Sequence, residues 1–126
     1  MGESYAKLGQ CAVLGLMDEL SGRWILQVSG VLIAGPVRFN SLRRQVDGIT
    51  QKMLTHTLKV LERGGLVSRT VIPGPPISVE YAITPLGRTL IDAFAPLHAW
   101  AEAHKTDVEQ SQREFDIKFG DVRRIA

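Results

Sequence analysis

A mainly α-helical domain with one small β-hairpin is the fold class this sequence predicts. Three observations carry that reading. Apolar residues recur at helical spacing through four consecutive short segments in the first half of the chain. The pattern then changes to a strand-like one over residues 66–83, on either side of Pro73-Gly74-Pro75-Pro76. Helical spacing returns from Thr84 onward.

Each element follows from its residues. Val13, Leu16, Met17 and Leu20 mark a first helix over residues 12–20. Ser21-Gly22 breaks it, and Ser21 is the expected cap of the next helix. That helix carries Trp24, Ile25, Val28, Val31 and Leu32, and Gly35-Pro36 ends it. Val37-Arg38-Phe39 is short enough only for a tiny strand. Asn40 is the expected cap of a third helix with Leu42 and Val46, closed by Asp47-Gly48. Thr50 caps a fourth helix over residues 51–63, whose Leu54, Leu58 and Leu61 fall on one face. Gly64-Gly65 stops it, because glycine adopts the left-handed conformation that helix ends use. Leu66–Ile72 and Val79–Ile83 favour strands, with the proline-rich segment as the hairpin tip. Thr84-Pro85 opens a last helix, with threonine as cap and proline at the first helical position. Leu86, Leu90, Phe94, Leu97 and Ala101 form its apolar face. Pro96 is expected to kink or split it, and the helix is expected to fray near Phe115. Residues 1–105 read as one domain and residues 106–126 as a helical extension or tail.

Composition narrows the function classes. The chain has 126 residues, 44% hydrophobic and 22% charged, which suits one modest globular core. No run of 18 apolar residues suggests a membrane span. The N-terminus lacks the basic-then-apolar pattern of a secretory signal, so a cytoplasmic setting with no membrane partner is expected. A single cysteine, Cys11, excludes an internal disulfide and a cysteine-rich zinc site. His98 and His104 are six apart, not at the helical spacing of a metal pair, so no metal is expected. Asp18 and Glu19 are adjacent and point to different sides of their helix. With no glycine-rich phosphate loop and no nucleophile–base couple, neither an enzyme nor a cofactor is expected.

Charge is unevenly distributed. The whole chain carries a formal net charge of only +2, yet residues 38–69 hold seven basic residues against two acidic ones. A local surplus of this kind suits a polyanion, although a solvated basic face would look the same. Helix 51–63 adds direction. Opposite its leucines lie Lys52, Thr55, His56, Lys59 and Arg63, with Gln51 at the tip. Two short helices followed by a hairpin form the winged helix-turn-helix arrangement, in which the second helix enters the major groove of double-stranded DNA. Gln51 suits adenine, Lys52 guanine, and Thr55 a base or a phosphate. Lys59 and Arg63, like Arg43 and Arg44 on the preceding helix, suit phosphates. The candidate contact set is Arg38, Arg43, Arg44, Thr50, Gln51, Lys52, Thr55, His56, Lys59 and Arg69.

The chain resembles the HxlR type of bacterial winged-helix regulator, related in fold to the MarR type. The matching stretches are Cys11-Ala-Val, Leu20-Ser-Gly-Arg-Trp24, Gly35-Pro-Val-Arg-Phe-Asn-Ser-Leu-Arg43, Gly48-Ile-Thr-Gln-Lys-Met-Leu54, Leu58-Lys-Val-Leu-Glu-Arg-Gly-Gly-Leu-Val67 and Val79-Glu-Tyr-Ala-Ile-Thr-Pro-Leu-Gly87. They agree in order and spacing from about residue 11 to about residue 104. The resemblance implies a homodimer joined through the N- and C-terminal helices, bound to a two-fold symmetric operator, more often as a repressor. It also implies a redox-sensing role for Cys11 as in some members, against the plain alternative of a small buried apolar residue. No effector is indicated. The sequence departs from the family at three places: Gln51 replaces a usual proline, His56 a frequent glutamine, and Ser78 a common basic residue. The wing tip, Gly74–Ile77, is therefore apolar and uncharged, and Arg69 is the nearest basic group. That apolar wing is what a winged-helix protein–protein module without DNA binding would carry, and this is the alternative reading.

Overall fold

A computed structural model describes residue 20 and residues 22–120 of the protein. The expected first helix falls outside these residues except for Leu20, which is helical and packs half-buried against the core. Cys11 also lies outside them. The chain divides into two compact units, one ending at Ile91 and one beginning at Asp92.

The first unit runs α1 (Arg23–Leu32), β1 (Val37–Arg38), α2 (Phe39–Gln45), α3 (Gln51–Arg63), β2 (Val67–Ile72) and β3 (Ser78–Ile83). The last helix, α4 (Pro85–Phe119), begins in this unit. Val28 and Leu32 of α1, Leu42 of α2, and Leu54, Leu58 and Leu61 of α3 are almost wholly buried and meet in one core. The strands form an antiparallel sheet in the order β1-β3-β2, with Val37 opposite Tyr81 and Val67 opposite Ile83. The hairpin of β2 and β3 is the wing, so the architecture is a winged helix-turn-helix.

Two expected caps move. α1 begins at Arg23, so its N-cap is Gly22 rather than Ser21, and it has no side-chain cap bond. Glycine is tolerated there because it takes the required non-helical backbone freely. α2 begins at Phe39 directly from β1, with Arg38 as N-cap in extended conformation, so Asn40 lies inside the first turn. The cause is tertiary. Arg38 is held in register with Glu80 of β3, and the helix starts as soon as the strand ends.

The end of α3 is fixed by a Schellman arrangement. Leu66 N donates to Leu61 O at 2.9 Å and Gly65 N to Glu62 O at 3.0 Å, with Gly65 at φ +74°. Thr84 then ties the start of α4 to this turn. Its hydroxyl donates to Gly65 O (2.7 Å) and accepts from Gly87 N (3.0 Å), while its backbone N–H donates to Leu66 O (3.1 Å). Gly87 is buried, and a Cβ there would collide with the Leu66 carbonyl oxygen.

α4 is continuous through Pro96 to Phe119, so the expected split at the proline and fraying at Phe115 do not occur. Proline removes only one helix hydrogen bond, to the carbonyl four residues earlier. That residue, Asp92, is exposed, so water can satisfy the freed carbonyl. The expected domain division at 105/106 falls inside this helix. Leu90 packs half-buried on the core of the first unit. In the second unit Leu97, Trp100, Val108, Phe115, Ile117 and Phe119 are exposed, Trp100 at 54% and Ile117 at 87%. Among the described residues no helix is long and apolar enough to cross a membrane.

Candidate nucleic-acid interface

The turn between α2 and α3 sets the interface. Val46 and Ile49 are buried on either side of it, and Val46 N donates to Leu42 O (3.0 Å). Gly48 reverses the chain at φ +83°, with the Trp24 ring packed beside it. Two buried residues and one left-handed glycine thus hold α2 and α3 in a fixed relation. Thr50 caps α3 by accepting from Met53 N at 3.1 Å. Its hydroxyl is therefore committed to the helix start, which places Gln51 and Lys52 at the tip.

At 100° per residue, Lys52, His56, Lys59 and Arg63 fall within roughly 60° of one another around α3. All four are exposed, while Leu54, Leu58 and Leu61 are buried on the far side. At 1.5 Å per residue the stripe runs about 16 Å, and a major groove about 12 Å wide admits one α-helix. Thr55 flanks the stripe and is half-buried. Exposed Met53 flanks the other edge; sequence reasoning passed over it because it is neither basic nor in line with the leucines.

The remaining candidates lie on α2, β1 and β2. Arg43 and Arg44 are exposed in the last turn of α2. Arg38 is exposed in β1. Arg69 is exposed on the edge strand β2, opposite Tyr81. Among the described residues, Arg38, Arg43, Arg44, Lys52, Lys59 and Arg69 make no ion pair. Cations that no carboxylate neutralises are free to replace the counterions of a phosphate backbone. The wing tip carries no charge, and Ile77 is 71% exposed. No group of three histidine, cysteine or acidic side chains capable of holding a metal occurs among the described residues.

Residues 19–109 match the model of the HxlR-like helix-turn-helix family. The chain belongs to this family of DNA-binding transcriptional regulators. A relative in Methanothermobacter thermautotrophicus, named an HTH-type transcriptional regulator, is 37% identical over 101 residues, covering 80% of this chain and 77% of its own. The solved structure of the transcriptional regulator YtfH from Salmonella typhimurium is 36% identical, with a TM-score of 0.73, covering 84% of this chain and 94% of its own. The redox regulator HypR in its reduced form is 36% identical, with a TM-score of 0.70, covering 79% of this chain and 99% of its own.

Proposed function

We propose that the protein is a homodimeric repressor that binds a two-fold symmetric operator with α3 in the major groove. The observation that carries this reading is the exposed cationic stripe of α3, backed by buried leucines and flanked by Arg43 and Arg44. Lys52 and Gln51, at the N-terminal end, are assigned to base edges. Lys59, Arg43, Arg44 and Arg38 are assigned to phosphates, with Arg69 as the basic contribution of the wing.

Dimerisation is supported by the apolar surface of residues 97–119, which a monomer would leave in water. Two-fold symmetry would set the two α3 helices one DNA turn apart, about 34–36 Å. The setting is the cytoplasm. Cys11 is assigned a redox role, supported by the redox regulator among the structural relatives. Operator binding by wild type and Cys11→Ser, before and after diamide, tests that assignment, and equal release of both proteins would refute it.

The functional test compares Lys52→Ala with Arg43→Ala on a duplex enriched from a random pool and on random duplex. A base-reading lysine should cost about 1–3 kcal/mol on the enriched site and relax one position. A phosphate-bound arginine should weaken all sequences alike and flatten the salt slope by about one. Equal effects of Lys52→Ala on both duplexes would contradict its assignment.

A further inference from the structure

His56 stands inside the cationic row of α3, on the same outward side as Lys52 and Lys59. Along the helix axis it is about 6 Å from Lys52 and about 4.5 Å from Lys59. It is exposed, and among the described residues neither ring nitrogen has a hydrogen bond, ion pair or ring contact. An unpartnered imidazole in this row meets whatever the row meets.

With α3 in the major groove, that is a surface of acceptors. Guanine offers N7 and O6 there with no donor beside them, whereas adenine and cytosine carry an amino group on that edge. Phosphate oxygens form the walls of the groove. The two nitrogens of an imidazole point in different directions, so one addresses a base edge while the other addresses a wall. A neutral ring has one N–H and one lone pair, and an imidazolium has two N–H groups. The neutral ring therefore leaves a lone pair against an acceptor, and the charged ring satisfies both sides.

We propose that His56 is a specificity-determining residue that binds as the imidazolium, one N–H donating to a guanine and the other to a phosphate, so that each subunit takes up one proton from solvent on binding its site. The inference rests on α3 lying in the major groove. Its sign follows from linkage. The complex favours the protonated ring, so affinity is full at low pH and falls as pH rises through the imidazole range, pH 5 to 8. The limit is tenfold per pH unit for each proton taken up. The other charged groups near α3 hold their charge across that range. They are Lys59, Glu62 and Arg63 on the helix with Lys52, Arg23 on α1, Arg43 and Arg44 on α2, Asp47 in the turn, and Arg69 on β2.

Anisotropy with the full chain tests this, on a labelled duplex enriched from a random pool at pH 6.0 and at one fixed salt concentration. Wild type should bind at least tenfold more weakly at pH 8.0 than at pH 6.0. His56→Gln, an uncharged change at an exposed position, should bind with less than twofold change between the two. His98→Gln and His104→Gln, in the second unit, should keep the wild-type dependence. Guanines are then replaced one at a time by 7-deazaguanine, which lacks the N7 acceptor. At one position per half-site this should weaken wild type at pH 6.0 and remove its pH dependence, with no further effect on His56→Gln. Equal pH dependence on random duplex, or no such guanine, would make His56 a phosphate ligand and overturn the proposal. A His56→Gln protein that keeps the pH dependence overturns it as well. Duplex binding by wild type that is indifferent to pH overturns this inference alone and leaves the DNA-binding function standing. A chain that binds no duplex at either pH refutes that function and the inference with it.

Discussion

Replacing Gly87 by alanine should destabilise the first unit out of proportion to the single methyl added. The new Cβ would overlap the Leu66 carbonyl oxygen and sit 2.7 Å from Ile83 Cγ1. The first obstacle is backbone, so it cannot rotate away. The start of α4 has to retreat, and the Thr84 N–Leu66 O hydrogen bond of 3.1 Å is stretched with it. Overpacking of this kind costs about 1–3 kcal/mol, and a lost hydrogen bond about 1 kcal/mol more. Alanine's better helix propensity returns up to about 1 kcal/mol. The net loss is about 2 kcal/mol, which for a domain of this size lowers Tm by roughly 8–16 °C. Gly64→Ala is the reference. Gly64 has φ −79° and no neighbour nearer than 3.5 Å to a Cβ, so its cost should stay below about 1 kcal/mol. Urea unfolding followed by circular dichroism, at one fixed protein concentration, reads both. A Gly87→Ala protein within 0.5 kcal/mol of wild type, a margin of about the size that separates ordinary surface changes, would refute the close-approach argument.

Other perturbations separate the remaining parts of the account. Gly65→Ala should cost about 1–2 kcal/mol, because φ is +74° there and an L side chain strains that backbone; urea midpoints check it. Leu58→Ala removes an almost wholly buried side chain from the face of α3 that meets the core, and should cost about 2–5 kcal/mol in the same assay. Sedimentation should give a dimer at micromolar concentration, and Trp100→Glu, at an exposed apolar position in the second unit, should shift it towards monomer. A wild-type monomer at that concentration would contradict the interface assigned to α4.

How much could be read in advance depended on the range of the interactions. α3 announces both its ends, because Thr50 and Gly64-Gly65 act within a turn of the helix they bound. The wing announces itself through the change of period and the prolines at its tip. The start of α2 was not legible. Asn40 has the better capping side chain, but pairing of Arg38 with Glu80, 42 residues away, decides where the helix begins. Leu90 and Leu97 belong to the same apolar series, and only packing separates one on the core from one in water. The basic stripe of α3 was legible from helical projection alone. The cleft between the β1–α2 junction and the wing was not, since it joins residues 38–44 to residues 76–81 and leaves no local period.

The central claim is that Arg38, Arg43, Arg44, Lys52, Lys59 and Arg69, which make no ion pair among the described residues, bind duplex DNA. Its most direct test is the salt dependence of binding by the wild-type chain, from 50 to 200 mM salt. If each subunit of the proposed dimer neutralises at least two phosphates, the slope of log K against log salt is about −3.6 or steeper, at about −0.9 per phosphate. A flat dependence, or no measurable binding at the lowest salt, would contradict the account and favour a winged-helix module that binds protein instead.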